Sequence, residues 1–497
     1  MAVQLSGLVV PLMLAVTAAV VLLLDAFLPD RAKFLVLWLG IIMLGVAFVI
    51  TVPQLWSGAQ AFCRQGADIV CAYDLARYGV VLHLAILVGA VAVLLLSVQT
   101  VVEESIPPGE YVFLLLCSVT GALVLTAAGD FATLVVGLET LSLPVFGMVA
   151  LRGRVGRVAG GEAALKLFLV SVASTALLLF GVSWIYAARG SLWLTDLTGD
   201  PSVDDRLQPV LAVGIAFAVL GFGFKVAAVP FHAWAPDTYE GAPLPVAAYL
   251  AVVSKVAGFA GLVVLLGRGL EPYAVNWAPV LAIVAALTMT VGNLVALRQR
   301  SAIRLLAWSS IGQAGYALAP FAGGGNPVAG VDPLAAPVSY IVAYAAMTMT
   351  AFAVVVAVTR DHPDGQLESY RGLLWRRPIA GIALAFALVA LAGVPPGLVG
   401  LFAKVAVFRA VLLGGAGWLA MVMAVNVVIA LYYYVSWTVL VVQRPTAEQR
   451  KQLPKVPTAV PAPIGAAVAV SVTATVILSV LPQLVFAARD LFPVASP

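Results

Sequence analysis

The sequence is short of charge, of histidine and of cysteine. Only 10% of its 497 residues are charged and three are histidine, whereas soluble domains carry about 25% charged residues. That excludes a water-soluble enzyme or a nucleic-acid-binding protein, and leaves a membrane protein with little mass outside the bilayer. The three cysteines form no CxxC and no Cys/His cluster, so they offer no framework for a metal or iron–sulfur centre. There is no GxGxxG turn, no P-loop and no nucleophile–base arrangement, and redox chemistry therefore has no seat on this chain. The alternation over about ten residues that marks a membrane barrel is missing as well.

Long apolar runs are abundant. Hydrophobic residues make up 63% of the chain, with a mean hydropathy of +1.07. One membrane crossing takes about 20 apolar residues. About fourteen such runs follow one another, near 5–27, 34–54, 79–101, 111–128, 129–151, 162–188, 209–238, 243–267, 277–297, 301–320, 335–359, 377–406, 416–442 and 459–487. The expected fold is an all-α polytopic bundle of about fourteen transmembrane helices joined by short connections. The first run lacks a basic leader and a cleavage site and reads as a retained helix.

Sixteen basic residues fall in the loops after odd-numbered spans, Arg152, Arg154, Arg298, Arg300, Arg450, Lys451 and Lys455 among them, and seven fall on the opposite side, Arg489 included. The positive-inside rule then places both termini outside. Cys63 and Cys71 lie in a loop expected on that outer side, where a disulfide and two free thiols are equally open readings. Cys117 reads as a core residue and His83 as a hydrogen-bonded packing residue in the third span.

The remaining four basic residues, Lys166, Lys225, Lys255 and Lys404, lie inside spans. A lysine at a helix centre costs roughly 2.5–3.5 kcal/mol on insertion, so four would cost roughly 10–14 kcal/mol, comparable to the whole net stability of a protein. Snorkelling to the interface is the bland reading, and it fits Lys166 best and Lys225 least. No arginine occupies a span centre; unlike arginine, a desolvated lysine can lose its proton. Glu139 is the acidic residue at mid-depth, and with Lys166 in the next span it makes a candidate pair. His232 is open to two readings, a proton relay between Lys225 and Lys255 or an interfacial residue capping broken backbone.

Prolines interrupt the apolar pattern twice, in AAVPFHAWAPDTYEGAPLP (227–245) and in AGVPPGLVG (392–400). A helix broken inside a bilayer survives only where protein or a water-filled cavity satisfies its backbone. The two breaks, each with its own lysine, fall in spans 7 and 12. Corresponding interruptions point to two inverted five-helix repeats, spans 4–8 and 9–13, with the site at the breaks. The expected division is 1–109 (three helices), 110–270 (first repeat), 271–445 (second repeat) and 446–497 (C-terminal helix). Lysine, broken helix and membrane depth together suggest a pathway for ions or protons.

The segments LVVGLETLSLPVFGMVAL, EAALKLFLVSVASTALLLFGVSWIY, FKVAAVPFHAWAPDTYEGAPLPVAAYLAVVSKVAGFA and RLLAWSSIGQAGY resemble the antiporter-like membrane subunits of respiratory complex I, the proton-pumping NADH–quinone oxidoreductase. The resemblance covers nearly the whole chain and is strongest from about 110 to 410. It implies a proton pathway in the membrane plane, with Glu139 and Lys166 as a coupling pair, Lys225 central, Lys255 connecting and Lys404 terminal. It further implies that FMN, iron–sulfur clusters and quinone belong to partner subunits, and that the chain itself carries no cofactor. Its partners would be the antiporter-like paralogues and small membrane subunits of the complex, and indirectly the peripheral arm, in a bacterial plasma membrane. A Mrp-type cation/proton antiporter or a membrane-bound hydrogenase subunit shares the same core and is the alternative.

Overall fold

In the computed structural model the described residues are 5–64, 69–152, 157–199, 204–324, 334–445 and 459–486. Arg154, Arg450, Lys451, Lys455 and Arg489, counted above for orientation, lie outside them. Twelve helical segments among the described residues are long and apolar enough to cross a membrane. They include α1 (Val9–Phe27), α2 (Leu35–Thr51), α3 (Arg77–Glu103), α4 (Pro108–Thr126), α5 (Phe131–Ala150), α6 (Arg157–Arg189) and α7 (Gln208–Lys225). After the first break come α8 (Trp234–Gly241), α9 (Leu244–Tyr249) and α10 (Lys255–Val264), followed by α11 (Ala274–Ala296), α12 (Ala302–Leu318) and α13 (Ala335–Thr359). The chain then runs through α14 (Pro378–Ala392), α15 (Leu398–Leu413), α16 (Gly417–Val442) and α17 (Ala462–Val480). Two expected spans fall short of that length. α12 has 17 residues before a 3-10 turn, and the run 377–406 is divided into α14 and α15.

Local chemistry sets the ends of these helices. Asp130 caps α5, its carboxylate accepting the Thr133 N–H at 2.8 Å, and Ser301 caps α12 through the Arg304 N–H at 3.4 Å, each satisfying a donor that the first turn leaves free. Pro108 opens α4, where its missing N–H costs nothing. At the first break the freed backbone finds side-chain partners. The Val229 N–H donates to Thr288 Oγ1 at 3.0 Å, and the Trp234 indole donates to the Phe224 carbonyl at 3.3 Å. At the second, Gly393 ends α14 with φ +82°, a left-handed conformation that glycine adopts without the steric cost of a Cβ.

Burial sorts the helices. In an 18-residue apolar stretch of each helix, 94% of residues are buried in Leu244–Gly269 and 89% in Ala335–Thr359, against 33% in Asp30–Ser57, Val158–Arg189 and Ala462–Val480. The chain from α9 to α10 and helix α13 thus form the centre of the bundle, and the outer helices face lipid or partner chains. A five-residue π-helical turn, Leu250–Ser254, leads into Lys255; such local widenings of a helix are frequent at functional sites.

One feature was not expected from the apolar pattern. Strands β1 (Ala59–Arg64) and β2 (Val70–Leu75) pair antiparallel in the loop between α2 and α3, with Cys63 opposite Cys71. The disulfide that the sequence left open is formed. Arg64 pairs with Asp196 at 3.1 Å and Arg268 with Asp74 at 3.3 Å, tying the hairpin to the segments beyond α6 and α10.

Candidate functional site

Three of the four intramembrane lysines are buried, with exposures of 7% for Lys225, 2% for Lys255 and 5% for Lys404. Each ammonium is held by oxygen, as a charge taken from water requires. Lys225, the last residue of α7, donates to Ser142 Oγ on α5 at 2.9 Å. Glu139, one turn earlier on α5, acts on Lys225 electrostatically, and its carboxylate accepts the Thr175 hydroxyl of α6 at 2.5 Å. Gly258 of α10 lies against the Lys225 stem: a Cβ there would stand 2.9 Å from Lys225 Cγ.

Lys255 donates to Ser310 twice, to the backbone carbonyl at 2.7 Å and to Oγ at 2.6 Å. Its Nζ lies 5.8 Å from the centre of the Tyr344 ring, a distance at which the ring quadrupole attracts the charge. Lys404, on α15, reaches back across the second break to the last carbonyls of α14, Leu391 at 3.0 Å and Ala392 at 2.6 Å. The C-terminal end of a helix carries partial negative charge and favours a cation. Gly393 makes room for it, since a Cβ at that position would meet Lys404 Cδ at 2.9 Å.

Polar side chains of α12 lie between Lys255 and Lys404. Gln313 donates from Nε2 to the Tyr434 hydroxyl at 2.9 Å and to the Leu391 carbonyl at 3.3 Å, so one carbonyl accepts from both Gln313 and Lys404. The Tyr340 hydroxyl donates to Gln313 Oε1, and Ser309 shares a hydrogen bond with Tyr434. Asn293 joins Tyr433 at 3.0 Å and Asn426 at 3.1 Å. Two hydrogen-bonded groups thus lie beside the two lysines, Gln313 with Tyr340, Tyr434 and Ser309, and Asn293 with Tyr433 and Asn426.

Lys166 differs from these three. Its side chain is 46% exposed, and its ammonium pairs with Glu162 at 2.7 Å and Asp237 at 3.0 Å. The expected Glu139–Lys166 pair is not made. Glu139 bonds at the level of Thr175, nine residues beyond Lys166 on the same helix, a rise of about 13 Å. Arg304 binds Asp237 at 3.4 Å and Glu240 at 2.7 Å. A polar cavity of about 400 Å³ is lined by Arg152, Glu162, Lys166, Asp237, Glu240 and Asp364. At the other end, Lys404 lines a cavity of about 610 Å³ with Arg409 and otherwise mostly apolar walls, Leu401, Val405 and Phe408 among them. The charged line is enclosed at Lys225 and Lys255 and opens onto a cavity at each end.

His232 is half-buried, its ring edge-on to Trp308 at 5.5 Å. Its Nδ1 has no partner among the described residues, and both neighbouring ammonium groups bond elsewhere. His83 donates from Nε2 to the Leu123 carbonyl, 2.9 Å away, inside the core. Among the described residues no group of three or more His, Cys, Asp and Glu comes together around a common point. Sequence reasoning missed Ser142, Thr175, Glu162, Tyr239 and Tyr344. The i,i+3 step from Glu139 to Ser142 and the i,i+4 step from Glu162 to Lys166 were legible signals; Tyr344 in its apolar run gave none.

Residues 128–430 match the family described as NADH:quinone oxidoreductase/Mrp antiporter, TM. NADH-quinone oxidoreductase subunit N 2 of Streptomyces griseus is 44% identical over 97% of this chain and 93% of its own length. Subunit N of Salinispora tropica is 45% identical over 85% of this chain and 82% of its own. A chain of respiratory complex I from Thermus thermophilus superposes with a TM-score of 0.77 at 30% identity, covering 96% of this chain and 98% of that one. A chain of the Mrp complex from Dietzia shares the fold at a TM-score of 0.81 and 20% identity, over 98% and 97%. With its family match, its full-length relatives and a line of buried lysines at broken helices, the chain belongs to the NADH:quinone oxidoreductase/Mrp antiporter transmembrane family, in the subunit N group.

Proposed function

We propose that this chain is the proton-translocating membrane subunit of an NADH–quinone oxidoreductase, seated in a bacterial plasma membrane with both termini external. The observation that carries the reading is the sequence of ammonium groups through the bundle: Lys225 beside Glu139 and Ser142, Lys255 on Ser310, and Lys404 on the end of α14. Each is surrounded by groups that tolerate both the charged and the neutral amine. Quinone reduction elsewhere in the complex supplies the energy, and partner subunits hold FMN, the iron–sulfur clusters and quinone. Charge displaced near Glu139 alters how firmly Lys225 holds its proton, and the proton moves by way of Lys255 towards Lys404. Lys166 serves at the polar cavity, exchanging between Glu162 and Asp237. His232, beside the first break, is a candidate relay. The two breaks belong to two inverted five-helix repeats, 110–270 and 271–445.

Affinity purification of the tagged chain tests this reading together with NADH-driven proton uptake in vesicles from cells lacking it. The expected result is co-purification with flavin and iron–sulfur subunits, and a loss of uptake that the wild-type chain restores. Co-purification with membrane antiporter subunits alone, with sodium/proton exchange independent of NADH, would establish the Mrp-type alternative instead.

A further inference from the structure

Lys255 is held unlike the other buried lysines. Lys225 donates to the Ser142 hydroxyl and feels the charge of Glu139, and Lys404 has two helix-end carbonyls, whereas the hydrogen bonds of the Lys255 ammonium among the described residues go to the carbonyl and the hydroxyl of one residue, Ser310. The carbonyl of Ser310 accepts a hydrogen bond but has no proton to hand on; its hydroxyl both accepts and donates. That hydroxyl also accepts from the Tyr344 hydroxyl at 2.7 Å and lies 3.5 Å from the Tyr239 hydroxyl. Ser310 is 1% exposed, and Tyr239 and Tyr344 are buried to the same degree. Tyr239 stands on α8, the half-helix that also carries Asp237 of the polar cavity.

We propose that Ser310 is the proton gate of Lys255, an inference that rests on the proton-translocating reading above. In the forward step Nζ gives a proton to Ser310 Oγ while Ser310 passes its own to Tyr239 Oη. Tyr239 releases its phenolic proton to a water molecule beyond it. Lys255 is left neutral, both hydroxyls regain their starting state, and one proton has moved. The reverse sequence loads the lysine. Tyr344 holds the Ser310 oxygen in place by donating to it throughout.

The test uses membrane vesicles bearing the assembled complex, with NADH oxidation, proton uptake and its solvent deuterium isotope effect followed in Ser310→Ala, Ser310→Thr and Lys255→Ala. Ser310→Ala is expected to slow proton uptake about tenfold, below the usual range for a positioned proton-transfer group because water enters the vacated space. The isotope effect rises with it, and Ser310→Thr, which keeps the hydroxyl, restores both. A hydroxyl that served packing alone would leave the isotope effect unchanged. Uptake at the wild-type rate in assembled Ser310→Ala, with Lys255→Ala defective, overturns the gate and leaves the translocation reading standing. Wild-type uptake in Lys255→Ala overturns the translocation reading at that lysine, and the gate with it. Should Ser310→Ala fail to assemble, Tyr239→Phe removes the next oxygen and keeps the ring; a slowed uptake supports the gate and an unchanged one overturns it.

Discussion

The two broken helices solve one problem with different chemistry. At the first break the lysine ends its half-helix, and its surroundings come from another helix: Ser142 and Glu139, both on α5. At the second break the lysine sits past the gap and turns back onto the carbonyls of Leu391 and Ala392. A carboxylate can gain a proton or shift its hydrogen bonds, so the charge felt by Lys225 is variable. Helix-end carbonyls cannot titrate, so the acceptors around Lys404 are fixed. In the proposed translocation scheme the first site is switched and the second receives. Exposure does not separate the two, at 7% for Lys225 and 5% for Lys404, but Lys404 borders the cavity of about 610 Å³.

The sharpest way to break the comparison is a charge that cannot leave. Lys404→Arg keeps the cation at the end of α14 but holds its proton permanently, and proton uptake in vesicles is expected to fall by about tenfold or more. Uptake near wild type would mean that Lys404 serves only as a fixed counter-charge. Next in size is Glu139→Gln, which removes the variable charge at the first site and leaves the second untouched. NADH-driven uptake should drop several-fold there. A third test exploits the glycines. Gly393→Ala forces a Cβ into a left-handed conformation, a cost of about 1–2 kcal/mol, and into Lys404, whereas Gly258→Ala, at ordinary φ, meets Lys225 Cγ at 2.9 Å and Val226 Cγ1 at 3.3 Å and escapes the backbone cost. Thermal melting of the purified complex should fall more for Gly393→Ala. The smallest effect on stability belongs to Lys166→Ala, because its ion pairs are partly exposed and such pairs contribute about 0–1 kcal/mol; the melting temperature of the purified complex should stay close to wild type.

Much of this contrast was legible in the sequence because a bilayer makes certain residues conspicuous. A lysine or a Pro-Pro-Gly in an apolar run costs several kcal/mol, so Lys225, Lys255, Lys404 and the breaks stood out. Partners cost less and stood out less. Glu139 was matched to Lys166 because their helices are consecutive, but depth along the helix decides pairing, and it sets Glu139 level with Thr175 and near Lys225. Lys166 already had Glu162 one turn before it. Ser310 was one hydroxyl among several on α12, and its role depends on α8, α10 and α13 meeting there. The hairpin was hidden for another reason: AQAFCR and VCAYDL are short strands whose pairing depends on the bridge and on ion pairs to distant segments.

The most direct test of the account follows NADH–quinone turnover and proton uptake together in vesicles carrying Lys225→Ala in the assembled complex. The account predicts that both are lost, or that uptake per NADH falls while turnover continues, since the switched site has lost its proton carrier. Wild-type turnover with wild-type uptake per NADH would contradict it and would leave Lys225 a buried charge without a part in proton movement.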